Sequence, residues 1–222
     1  MILILNTITN EEYRQRFESC VRDYIYTDLP VRDLNLSAET GNLDDYSHLL
    51  ISGSGLSTVD GSEWESRFFE VISHFVDNHK AILGICYGHQ LLAKYLGGPS
   101  CVRKSANPQF GFRRIITSSN ELFRDIQSVY SMVAHFDEVT NLGKAFEIIA
   151  EDDEGVIQGF QYRDSRIWGL QFHPEYDYFN GLASWERKIR NNPEWIRYYK
   201  NTVPSFMSAL NNKVIFENFI KL

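Results

Sequence analysis

Ala81-Ile82-Leu83-Gly84-Ile85-Cys86-Tyr87-Gly88-His89-Gln90-Leu91-Leu92 is an apolar run of strand length that ends at a cysteine and passes into helix formers with apolar residues at helical spacing. Cys86 therefore stands where a strand becomes a helix. Gly84 and Gly88 flank it two residues to either side, the spacing of a nucleophile elbow, in which a sharp turn exposes the central side chain. A thiol placed there lies near the amino end of the following helix, whose unpaired N–H groups and dipole favour the thiolate. The plain alternative is a buried cysteine acting only as a small apolar residue, so the rest of the chain has to decide.

Upstream, Ile2–Leu5, Val31–Leu36 and His48–Ser52 read as short strands, the last running into Gly53-Ser54-Gly55. Between them, Thr9 or Asn10 caps a helix carrying Tyr13, Phe17, Val21 and Tyr24, and the stripe Trp64, Phe68, Val71, Ile72, Phe75 and Val76 marks a second amphipathic helix. Gly97-Gly98-Pro99 closes the helix that follows the cysteine. Strands alternating with helices predict a parallel sheet with crossover helices.

Past Gly98 the pattern changes. Phe110–Thr117, Ser128–Phe136, Phe146–Ala150, Gly155–Tyr162 and Arg166–Phe172 are strand-like runs without long helices between them, which predicts antiparallel pairing. The last of them delivers His173-Pro174-Glu175. Pro174 cannot donate to a ladder, so pairing ends near His173 and leaves it at a sheet edge, where Glu175 can bend back to hold the imidazole. From Tyr176 onward, Trp185–Ile189, Trp195–Tyr199 and Phe206–Leu210 look like helical pieces, and Val214–Leu222 like a last helix.

With 222 residues, 43% hydrophobic and 23% charged, the chain has the make-up of one ordinary globular domain over 1–222. A net charge of −7 with no basic run argues against a nucleic-acid partner. The apolar Met1–Leu5 breaks at Asn6 and is too short for a signal peptide or membrane span, so a cytoplasmic location is expected. Cys20, Cys86 and Cys101 are widely spaced, with no C-x-x-C pair, which argues against disulfides or a zinc site. No cofactor or metal is expected, and no phosphate-binding loop of the G-x-x-x-x-G-K-[ST] kind is present.

A thiol nucleophile needs a general base and an acceptor that fixes the imidazole tautomer; Cys86, His173 and Glu175 can fill those three roles. At this point Gly84–Gln90 and Gln171–Glu175 resemble the nucleophile and histidine motifs of the class I (triad) glutamine amidotransferase family, most of all its GMP-synthase-type glutaminase domains. The resemblance extends to Ile51–Gly55, Leu96–Gly98, Ala134–Asp137 and the closing Phe216-Glu217-Asn218-Phe219. It implies a flavodoxin-like fold, an open and mostly parallel sheet with flanking helices, together with a smaller antiparallel sheet and a helical C-terminal extension. It also implies hydrolysis of the glutamine amide through a cysteinyl γ-glutamyl thioester to glutamate and ammonia, by a chain that either feeds the ammonia to a synthase subunit or stands alone. Backbone N–H groups of Gly53 and Tyr87 would form the oxyanion hole, and Gly55, Gln90, Ala134, His135 and Phe136 would contact glutamine.

The chain departs from the family pattern in three places. Ser54 stands where proline is usual, which predicts a looser oxyanion loop; Phe136 stands for glycine, which predicts a narrower pocket rim; and the aromatic-rich stretch 176–212 is long for this connection. That stretch either meets a partner or packs on the sheet. A γ-glutamyl peptidase or transferase using the same triad is the rival activity, and a non-enzymatic regulatory subunit is the third reading.

Overall fold

The computed structural model describes residues 1–25, 30–34, 41–201 and 212–222. Its centre is one nine-stranded sheet. In chain order the strands are β1 (Ile2–Leu5), β2 (Val31–Leu34), β3 (His48–Ile51), β4 (Ala81–Ile85), β5 (Val102–Thr117), β6 (Ser128–Val139), β7 (Phe146–Asp152), β8 (Ile157–Tyr162) and β9 (Ile167–Leu170). The helices are α1 (Glu11–Tyr24), α2 (Glu65–Asp77), α3 (Tyr87–Gly97), α4 (Tyr178–Asn191) and α5 (Asn212–Ile220). Of the two cap candidates for α1 it is Asn10 that acts, its Oδ1 accepting the Tyr13 N–H at 3.1 Å.

Strands β2-β1-β3-β4-β9 run parallel in the 2-1-3-4-5 order of a flavodoxin-like sheet. Alternation along β1 divides the core: Ile2 and Ile4 join Phe17, Val21, Trp168, Phe216 and Phe219 on the α1 and α5 face. Leu3 and Leu5 join Phe68, Ile72, Phe75 and Leu91 on the α2 and α3 face. Because both faces are covered, β4 is buried along its whole length and reads as an unbroken apolar run.

The antiparallel strands require a correction. They do not form a separate smaller sheet, because β8 pairs with the free edge of β9 through Phe160↔Gly169 and the ladder continues β9-β8-β7-β5-β6. The turn at 163–165 folds β8 directly onto β9. Only half of the sheet is therefore parallel. β5 also starts eight residues before Phe110, in the polar stretch around Lys104, and its pairing with β6 is interrupted between Lys104 and Gln109, where Pro108 lies.

In the stretch after Tyr176, α4 is longer than the expected Trp185–Ile189 piece, and Pro193–Tyr198 is a 3₁₀ turn. The Phe206–Leu210 piece lies outside the described residues. Most described aromatics of this stretch pack on the sheet: Trp185 and Trp195 lie 5.3 and 5.5 Å from the Phe110 ring, and Trp185 stacks on Tyr199 at 4.7 Å, while Phe179 stays exposed. Of the two alternatives, packing describes these rings and not Phe179. Among the described residues no helix is long and apolar enough to cross a membrane. Trp185 is buried, so Trp185→Ala is expected to lower the unfolding free energy by about 3 kcal/mol in urea denaturation; an unchanged midpoint would contradict this packing.

Candidate active site

Cys86 joins β4 to α3 with φ 50° and ψ −100°, a backbone that L-residues rarely adopt and that costs about 1–3 kcal/mol. Its N–H donates to Leu170 O at 2.7 Å, and its carbonyl accepts from Gln90 N at 3.1 Å. The turn closes because its neighbours have no side chains. A Cβ on Gly84 would stand 2.5 Å from the Gly88 backbone, and one on Gly88 would stand 2.7 Å from Ile51 O. Sequence and structure agree on why both positions are glycine.

β9 ends at Leu170, and the chain then crosses to β6, where His173 N–H donates to Met132 O at 2.8 Å. Glu175 turns back as expected, its Oε1 accepting from His173 Nδ1 at 2.7 Å. Tyr176 stacks on the imidazole at 5.3 Å. Gly53 ties the site together: a Cβ there would be 3.1 Å from His173 Cε1 and 3.5 Å from Cys86 Cβ. Burial alone would push the His173 pKa down, but the Glu175 carboxylate and the Cys86 sulfur outweigh it and raise the value to about 10. The imidazole is therefore a cation at neutral pH, with Nε2 making no hydrogen bond among the described residues.

The cavity at Cys86 has two lobes that share Cys86, Ala134, Ser54, Gly55, Lys188 and Trp195. The first, about 320 Å³, is lined by Tyr87, Gly55, Gln90, Ala134, His135 and Phe136, so the expected glutamine contacts do converge. Tyr87 is the first residue of α3, which leaves its N–H without a helical acceptor. Gln90 is less free than expected. Its Nε2 donates to Asp137 O at 2.8 Å and to Gln171 Oε1 at 3.1 Å, and its Oε1 accepts from Thr58 Oγ1 at 3.4 Å, so the second lone pair of Oε1 is what remains for a ligand. His135 is kept neutral by burial, its pKa lowered to about 4, and both ring nitrogens have protein neighbours. His89, on the far side of the elbow, packs on Phe160 and is pushed down to about 3 by burial.

Two expectations about the departures change. Ser54 does not loosen its loop, because its hydroxyl donates to Thr7 O at 2.7 Å and accepts from Leu56 N at 3.2 Å. Phe136 lines the first lobe, but it is also an anchor, edge-on to Trp195 at 4.8 Å. Asp137 and Glu138 are buried, not surface groups; Ser57 and Lys104 hold the first, Arg103 and Ser105 the second.

Some site residues were not singled out in the sequence. Gln171, quoted only as the first residue of its motif and given no role, donates from Nε2 to Cys86 Sγ at 3.6 Å; its signal was a polar residue between the apolar Leu170 and Phe172. Ser184, Arg187, Lys188 and Asn191 of α4 all line the second lobe, a spacing of one helix face. Opposite to them, Trp185 and Ile189 hold α4 to the sheet.

The family pattern described as "Glutamine amidotransferase class-I" matches residues 12–181. A glutamine-hydrolyzing GMP synthase subunit of Sulfurisphaera tokodaii is 31% identical over 135 residues, which cover 60% of this chain and 69% of that protein. A glutamine-hydrolyzing GMP synthase of Staphylococcus epidermidis is 29% identical over 202 residues, 88% of this chain and 37% of that protein's length. A glutamine amidotransferase from Thermotoga maritima shares the fold, with a TM-score of 0.74 at 20% identity over 99% of this chain and 96% of that one.

The His173–Glu175 pair sets a pH dependence whose sign follows from the raised pKa. The stabilisation is fully present below the unfolded value of about 6.5 and is lost as pH rises through about 10. In Glu175→Gln the imidazole is expected to titrate about 2 pH units lower by NMR, and the stability difference from wild type should vanish above about pH 10. An unmoved His173 titration would contradict the pairing.

Proposed function

This chain belongs to the class-I glutamine amidotransferase family, and from that premise we propose that it hydrolyses the side-chain amide of glutamine through a thioester on Cys86. The observation that carries the reading is the buried His173–Glu175 pair, 2.7 Å apart, beside a cysteine held in a strained elbow. Glu175 fixes the imidazole with Nδ1–H donating to it, so that Nε2 is the atom that exchanges protons with substrate. His173 already holds the proton that Cys86 gives up, and the sulfur attacks the amide carbon. The N–H groups of Tyr87 and Gly53 hold the oxyanion, each worth about 3 kcal/mol.

The C–N bond then breaks as His173 returns the proton to nitrogen, and ammonia leaves. Water, deprotonated by His173, opens the thioester to give glutamate and the free thiol. The first lobe holds the amino-acid end of glutamine, with Gly55, Ala134, His135 and Phe136 at its wall and Gln90 Oε1 as an acceptor for the ammonium group. On this reading 1–222 is one amidotransferase domain with 176–212 as its insertion, working in the cytoplasm with its thiols reduced.

A synthase partner that consumes the ammonia is part of the proposal. Relatives named as GMP synthase subunits support it, as does the 37% of a single-chain GMP synthase that this chain spans. The acceptor of the ammonia is then activated by the partner, since this sequence has no phosphate-binding loop of the P-loop kind.

Cys86→Ala is expected to lower ammonia release from glutamine by about 10⁴-fold or more, with the circular dichroism spectrum and melting temperature close to wild type. Glutamine hydrolysis at the wild-type rate in this variant would remove Cys86 from the chemistry.

A further inference from the structure

The second lobe of the cavity, about 270 Å³, is lined by His173 and Glu175 and by residues of α1 and α4. Besides the His173 imidazole paired with Glu175, three cations line it: Arg16 from α1, Arg187 from α4, and Lys188 from α4, which also lines the first lobe. Among the described residues none of the three forms an ion pair. Arg16 gives one Nη to Asn180 Oδ1 at 3.0 Å and leaves Nε buried without a partner. Arg187 lies over the Tyr13 ring at 5.4 Å, its Nε likewise buried and unpartnered. Among the described residues the only carboxylate lining the lobe, Glu175, is taken by His173.

Gathering unpaired cations around a partly apolar cavity is unfavourable unless an anion arrives to meet them. Ammonia is neutral and one heavy atom in size, so its release explains neither the charge nor the volume. His173, which would return the proton to the leaving nitrogen, lines this lobe and not the first, so a substituent on that nitrogen would extend into it. Burial lowers the Lys188 pKa, with the Cys86 and Glu175 charges acting the other way, as suits an ammonium group waiting for a counter-ion.

We propose that the second lobe binds the amine portion of an N-substituted γ-glutamyl amide whose amine portion carries a carboxylate or phosphate, with Arg16, Arg187 and Lys188 receiving that anion. The inference rests on the thioester chemistry proposed above and extends its substrate class. The Cys86 sulfur bonds to the γ-carbonyl carbon, the C–N bond breaks, and the proton held by His173 goes to nitrogen, so that the amine leaves intact. Water then releases glutamate and restores the thiol. The reaction consumes one water and needs no oxidant or reductant.

The test compares kcat/KM of the full chain on γ-glutamylglycine, γ-glutamyl-phosphoethanolamine, neutral γ-glutamylethylamide and glutamine. At least one anionic amide is expected to exceed the neutral one by about tenfold or more, and the larger ratio identifies carboxylate or phosphate as the anion. In Arg187→Ala/Lys188→Met that preference should fall by about tenfold. Equal turnover of neutral and anionic amides by wild type would overturn the proposal, as would a preference unchanged in the variant. Hydrolysis of glutamine with no N-substituted amide cleaved would overturn it and leave the glutaminase reading standing; no cleavage of any of the four would overturn both. The wild-type comparison needs no substitution, so it decides the matter even if the variant does not fold.

Discussion

The strained backbone of Cys86 persists because β4, α3 and β3 approach one another there through bare backbone. Gly84 faces Gly88, and Gly88 faces Ile51 O, at separations that a single Cβ would abolish. The strain is spread over three buried elements whose packing it cannot undo, and its effect is to aim the thiol at the carboxyl end of the parallel strands. That edge is where an open α/β sheet gathers its loops. Gly53 from β3 and the His173 segment beyond β9 arrive there for the same reason, and the parallel ladders β3-β4-β9 set their spacing.

Electrostatics then works on groups the fold has already buried. His173 would be neutral from burial alone, and so it is at His89 and His135, whose values fall to about 3 and about 4. What separates His173 from them is a carboxylate at 2.7 Å and a sulfur nearby, which take its value to about 10. Three buried histidines near one cysteine thus divide cleanly into one charged and two neutral rings, and the partner each finds decides which it is.

The elbow and the His173-Pro174-Glu175 turn were legible in the sequence because their causes are local: two glycines, a proline that stops a ladder, a carboxylate two residues from an imidazole. The continuous sheet was not, since β8 joining β9 is a non-local pairing that strand-like runs do not encode. The first half of β5 was hidden by its polar residues and Pro108, which read as a loop. Gln90 was recognised as a site residue, but its commitment to Asp137 O and Gln171 depends on where β6 and β9 end. No local pattern singles out Arg187 and Lys188; only the docking of Trp185 on Phe110 turns their face of α4 toward the thiol. Phe136 and the aromatic stretch, two separate departures in sequence, are one feature in space, joined at Trp195.

The central claim is that Cys86 is the γ-glutamyl-accepting nucleophile of this chain. Peptide-mapping mass spectrometry after treatment with a glutamine-analogue diazoketone tests it most directly, because Cys20 and Cys101 are also free thiols and serve as internal controls. One adduct per chain, confined to Cys86 and suppressed by excess glutamine, is the expected result. Labelling that spares Cys86, or that glutamine does not suppress, would contradict the claim.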